Sequence, residues 1–207
     1  MPAATHACEL MRRPGLVALL VMSLVLGLAA CGRDNDPAGT AREMVAQAKE
    51  IDWDRLIPLD WQPEALMEAQ GFDLDELETI DDDDPRAIAL MDKLLQLWAD
   101  APVVKELDGQ LVRLPGFVVP LELGARRMSE FLLVPYYGAC IHVPPPPANQ
   151  TVHVVAPEGQ GYVGELFDTV WVIGTLRVTH SENELAEAGY RIDMLDIQPY
   201  EGEVEPL

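Results

Sequence analysis

The chain has 207 residues and carries 14 Lys and Arg against 35 Asp and Glu, a formal net charge of −21 at pH 7. A surface this acidic repels phosphate backbones, because nucleic-acid binding works through basic side chains that displace counterions, so nucleic acid is excluded as a partner class. The length is enough for one domain with a real core once an N-terminal leader is set aside.

That leader is legible. Arg12 and Arg13 precede an uncharged run from Leu16 to Ala30, which closes on Leu28-Ala29-Ala30-Cys31-Gly32. A basic start, an apolar stretch and small residues before a cut describe a secretory signal over residues 1–30. The run is too short to span a bilayer, which takes roughly 20 apolar residues. Its ending resembles the bacterial lipobox, and the resemblance implies that Cys31 becomes the first residue of the mature chain and is lipidated through its sulfur. A plain secretory signal with a chance cysteine is the alternative. Gly32 stands where an aspartate would favour inner-membrane retention. The expected location is therefore the periplasmic side of the envelope, lipid-anchored, with the outer membrane favoured over the inner. Met11 reads as a natural start as well as Met1 does, and Cys8 then plays no part.

Loss of the leader removes Glu9, Arg12 and Arg13, which makes the chain one unit more acidic and leaves Cys140 as its only unmodified thiol. No intrachain disulfide can form. A lone thiol in an oxidising compartment persists only if it is buried or bound to something.

Residues 31–40 are polar and rich in turn formers, as a flexible tether should be. Ala41 to Trp53 has the spacing of a short helix. Pro63 opens a second helix that Gly71 ends, and Asp84-Pro85 caps a third with Ile88, Met91, Leu94, Leu95 and Trp98 at intervals of three to four. The aspartates at 81–84 lack the spaced oxygens and glycine of a calcium loop and read as helix N-terminal acids. After Pro102 the texture changes to strands: Val103–Leu107, Leu111–Leu123, Phe131–His142, Thr151–Ala156, Val170–Val178 and Tyr190–Tyr200. Asp108-Gly109 is a hairpin signal. A short helix is expected at Glu182 to Ala188, His180 reads as a turn or cap residue, and Trp98 and Trp171 as packing residues. The expected fold is α+β overall: a helical segment over 41–101, then a mainly β domain over 102–207, a small OB-like barrel or sandwich of five to six strands.

The stretch Tyr136 to Gln150, "YYGACIHVPPPPANQ", carries the chemistry. If Leu132 to His142 is a strand, Cys140 and His142 share a face about 6.6 Å apart. Pro144, Pro145, Pro146 and Pro147 form a stiff polyproline segment, after which the chain returns through Asn149-Gln150 to His153. An antiparallel return brings His153 to the same end. One thiolate and two imidazoles suit zinc or copper and leave a coordination position open. Two other readings stand beside it: a buried cysteine with a hydrogen-bonded histidine and a packing loop, and a Cys140 nucleophile activated by histidine.

The segments "RLPGFVVPLE" at 113–122, "FLLVPYYGACIHVPPPPANQTVHV" at 131–154 and "VWVIGTLRV" at 170–178 resemble the uncharacterised bacterial lipoprotein group known as domain of unknown function 3299. The resemblance covers roughly 103–200. It implies a small exported protein, often encoded beside an ABC-transporter permease of the lipoprotein-release type and sometimes within zinc-responsive clusters, with no enzymatic activity established. The function expected from all of this is an accessory protein held on the membrane by lipid. It binds zinc or copper at Cys140, His142 and His153 and acts with an ABC transporter. The alternative is a metal-free docking protein that uses Tyr136, Tyr137, Pro144 to Pro147, Asn149 and Gln150 as its contact loop.

Overall fold

The structure, a computed structural model, describes residues 37–69, 71, 81, 83–122, 124, 126–202 and 204. The expected signal peptide, the expected lipidation site Cys31 and the first part of the expected tether lie outside them. Residues Ala41–Leu207 form one compact unit.

Among the described residues the helices are α1 at Pro37–Gln47, α2 at Pro63–Ala69 and α3 at Pro85–Ala99. Helix α1 starts inside the expected tether, at a proline whose missing N–H costs nothing in a first turn, and it ends well before Trp53. The cap of α3 is as expected. The Asp84 carboxylate accepts from the Arg86 N–H at 2.8 Å, and the Arg86 side chain holds that carboxyl below its ordinary pKa. Helices α2 and α3 pack together, and among the described residues no helix is long and apolar enough to cross a membrane.

The strands are β1 Lys49–Glu50, β2 Leu111–Pro120, β3 Arg127–Met128, β4 Glu130–Val134, β5 Val152–Val155, β6 Tyr162–Val163, β7 Thr169–Glu182 and β8 Glu187–Pro199. Strand β2 pairs antiparallel with both β4 and β7, β4 with β5, and β7 with β8, while β5 and β8 run parallel, so β2-β4-β5-β8-β7 closes into a ring. This is a five-stranded OB-type barrel. Period-two alternation fills it: Val112, Leu114 and Val118 of β2 point inward with Phe131, Leu133, Val152, Val154, Val172 and Ile192.

Part of the expected helical segment, residues 49–56, contributes to the barrel end. Strand β4 meets β2 only from Phe117 upward, and below that point β1 lies parallel to β2, with the Ile51 N–H donating to the Arg113 carbonyl at 3.1 Å. A 3-10 turn at Trp53–Leu56 then carries Trp53 and Leu56 into the barrel core. The Trp53 indole donates to the Pro115 carbonyl at 2.8 Å, and the Tyr190 hydroxyl donates to the Leu56 carbonyl at 2.8 Å. These residues give the barrel end its closure.

Five local expectations fail for identifiable reasons. Residues 105–107 form a 3-10 turn rather than a strand. Gly109, at φ +77, does not close a hairpin but donates its N–H to Leu176 at 2.8 Å. No helix occupies 182–188: β7 and β8 form a long hairpin whose tip is tied by the Asn183 side-chain oxygen accepting from the Leu185 and Ala186 N–H groups. His180 therefore lies within β7, its Nε2 2.7 Å from Glu187 Oε2. Trp171 points out of the barrel, half-buried, with the Arg113 guanidinium 4.0 Å from its ring centre and Tyr200 edge-on at 4.9 Å.

Candidate functional site: a self-capped barrel face

Strand β4 stops at Val134, eight residues before His142. Pro135 follows it, Gly138 takes φ +91, and Cys140 takes φ +66, a left-handed conformation that side chains other than glycine rarely adopt. The Gly138 carbonyl accepts from three N–H groups in turn, those of Ile141 (3.3 Å), His142 (2.8 Å) and Val143 (3.2 Å). A coiled loop of this kind has no alternating faces, so the premise that aligned Cys140 with His142 does not hold.

The loop folds back over the outside of β2 and β4. Val119, Leu132 and Val134 point outward yet are fully buried, packed with Ala139, Phe167 and Ala186, and Tyr136, Cys140, Ile141 and Leu185 lie against them. Burial pushes the Cys140 thiol up to about 12, so it stays protonated at neutral pH and is not a ready nucleophile. His142 is exposed, its ring centre 6.0 Å from that of Phe167. His153 sits in β5 opposite Leu132, where its Nε2 lies 3.0 Å from Glu130 Oε2. Among the described residues no group of three or more His, Cys, Asp or Glu is placed to hold a metal ion. The fold thus does not bring Cys140, His142 and His153 together as a zinc or copper site.

The proline segment divides by role. Pro144 is exposed, Pro145 and Pro147 are half-buried, and Pro146 is buried. Beyond it the chain turns inward. Asn149 donates to the Pro102 carbonyl at 2.9 Å, Gln150 to the Trp53 carbonyl at 2.9 Å, and the Thr151 hydroxyl to the Pro147 carbonyl at 3.2 Å, all three residues being buried. Asn149 and Gln150 are therefore tie points of the core. Tyr136 is half-buried, its hydroxyl donating to Pro144 at 3.4 Å, and burial raises its pKa.

Tyr137 differs from all of these. It is 68% exposed, yet its ring is held between Phe117, edge-on at 6.2 Å, and Phe167 at 4.6 Å. Val143 and Leu166 are exposed too. Sequence reasoning picked out Tyr137 but missed Phe117, Leu166 and Phe167. The outward position of Phe117 in the β2 alternation was the available signal, whereas Phe167 reaches the site through a left-handed turn, φ +65, that joins its N–H to the Val118 carbonyl at 2.7 Å.

Barrel, capping loop and aromatic knob together define a small OB-type protein whose outer β2–β4 face is occupied by its own chain. Residues 53–199 match the family described as "Protein of unknown function (DUF3299)", and the chain belongs to that family. The match begins at Trp53, the residue that enters the barrel core, and so reaches about fifty residues further toward the N-terminus than the sequence resemblance did. Among solved structures, the crystal structure of a DUF3299 family protein from Pseudomonas aeruginosa PAO1 at 2.45 Å resolution is similar at 40% identity, covering 75% of this chain and 98% of that one, with a TM-score of 0.55. No curated protein matches.

Proposed function

We propose that this chain is a non-catalytic interaction module of the bacterial envelope, held on the membrane by lipid at Cys31, facing the periplasm and working with an ABC-transporter permease. The observation that carries the reading is Tyr137: a large aromatic side chain left mostly exposed while two other aromatic rings immobilise it. Rigid, exposed aromatic residues cost little entropy to cover and are the usual anchors of protein interfaces. The residues behind the knob are packed and bonded inward, which suits a platform better than a reaction centre. Docking is favoured over metal binding because the three expected ligands are not gathered.

The test is a photoreactive phenylalanine analogue in place of Tyr137, compared with the same analogue in place of Glu158, which is exposed in a connection outside the capped face. Crosslinking to the permease from position 137 and not from 158 is expected, in membranes from cells that carry both proteins. Equal crosslinking at both positions, or none at 137, overturns the reading. Cys31→Ser is expected to move the protein from the membrane to the soluble fraction.

A further inference from the structure

Acidic residues stand in the connections that supply the capped face. Glu165 precedes Leu166, and Glu184 precedes Leu185; both glutamates are exposed, on two connections that reach the capped face. On a third connection Glu122 follows Leu121, with exposed Arg126 four residues on. The acidic sector is thus that of Glu165 and Glu184, on a chain whose net charge is −21.

An aromatic face attracts cations through its quadrupole, and Arg is the side chain that stacks on it most often. This barrel already makes such a contact elsewhere, where the Arg113 guanidinium lies 4.0 Å from the Trp171 ring centre. Tyr137 is a second outward aromatic ring, fixed in place against Phe167, which Glu165 precedes by two residues, and among the described residues no cation–π contact covers it. We infer that its occupant is basic: an Arg or Lys side chain of a partner polypeptide lies on the Tyr137 ring, and Glu165 and Glu184 draw it in. This rests on the docking role proposed above and adds the chemistry of the partner. An anionic membrane surface is disfavoured by the same charges.

The experiment uses the full chain and two fluorescent peptides of repeating Arg-Leu-Gly and Glu-Leu-Gly, read by anisotropy. The arginine peptide is expected to bind at least about tenfold tighter than the glutamate peptide, with a gap that narrows as salt rises from about 50 to about 500 mM. Tyr137→Phe keeps the affinity, whereas Tyr137→Leu, which keeps apolar area but loses the ring, weakens it about three- to tenfold. Glu165→Gln with Glu184→Gln flattens the salt dependence. Tyr137 is exposed, so these variants should fold, and near-ultraviolet circular dichroism checks that they do. Equal affinity for both peptides, no binding of either, or a Tyr137→Leu variant that binds as the wild type does overturns the basic occupant. If the crosslink from position 137 to the permease survives such a result, docking stands with an apolar partner surface; if it fails as well, both readings fall. With the lipid anchor removed by Cys31→Ser, sedimentation with phosphatidylcholine vesicles that Tyr137→Leu abolishes would put a bilayer on the knob and overturn the inference too.

Discussion

Gln150 and Trp53, 97 residues apart in the chain, meet where the Gln150 side-chain amide donates to the Trp53 carbonyl at 2.9 Å inside the barrel end. Both residues are buried. The bond stitches the proline segment to the 3-10 turn that closes the barrel, and it satisfies a carbonyl that water does not reach. Gln150→Leu, close in volume, leaves that carbonyl unpaired, a loss of about 1–3 kcal/mol. The lower end is expected, because the substitution also removes the Gln150 Oε1, which is buried and has no hydrogen-bond partner. Gln150→Glu sets a carboxylate, which cannot donate, against the carbonyl and should cost more than Gln150→Leu. Urea unfolding of the two variants checks the order, and a Gln150→Glu protein as stable as the wild type would contradict the geometry.

Cys140 ties the capping loop to the pH dependence of stability. Burial raises its thiol from 9.0 to about 12 in the folded chain, so the unfolded chain loses this proton first as pH rises. The stability that this buried thiol contributes is therefore complete below about pH 9 and is lost as pH climbs from there toward about 12. Tyr190, raised from 10.0 to about 12 chiefly by its own burial, adds a decline in the same direction that begins one unit higher. The interval from pH 9 to 10 isolates the cysteine, and Cys140→Ala is expected to flatten the stability curve there while leaving the fall above pH 10. The same burial predicts that iodoacetamide labels the native thiol at pH 8 at least about tenfold more slowly than the urea-unfolded thiol. Zinc or copper retained after equilibrium dialysis, measured by elemental analysis, should not differ between wild type and Cys140→Ala. A whole equivalent lost in the variant would restore the metal reading.

The barrel was legible because its strands alternate cleanly. Val112, Leu114 and Val118 on one side of Arg113 and Phe117 allow only one face of β2 to be the core face. Helix α3 was legible from the Asp84-Pro85 cap. The end of β4 was not. Pro135 and Gly138 both signalled a break, but Phe131 to Val134 and then Tyr136-Tyr137 have high β-propensity, and period-two reasoning ran through the break to His142. The entry of Trp53 into the barrel could not be read at all. It depends on the Pro115 carbonyl, 62 residues away, and on a gap that exists only because β4 is short. The candidate site was half legible for the same reason. Tyr137 stood out in its own loop, whereas Phe117 and Phe167 reach it through pairing between β2 and the chain before β7.

Gly174 lies within "VWVIGTLRV" at the point where β7 and β8 slip register, between Ile173, which faces Asp196, and Gly174, which faces Met194. The slip leaves Leu195 as the extra residue of a bulge that bends the long hairpin around the barrel. The glycine is required by space rather than by dihedral freedom. A Cβ there would collide with the Asp193 carbonyl oxygen and stand 2.7 Å from Ile192 Cγ2. Neither can retreat easily, since Asp193 is backbone within the β7–β8 ladder and Ile192 is a buried core residue. Gly174→Ala is expected to cost about 2–3 kcal/mol, at the upper end of overpacking effects, despite the better intrinsic strand preference of alanine. Gly124→Ala is the informative comparison. That glycine has open space around it but φ +87, so its cost should be only the backbone strain, about 1–2 kcal/mol. Thermal unfolding of both variants decides between them. A Gly174→Ala protein at least as stable as Gly124→Ala would mean that the hairpin can slide at its bulge and absorb the methyl group.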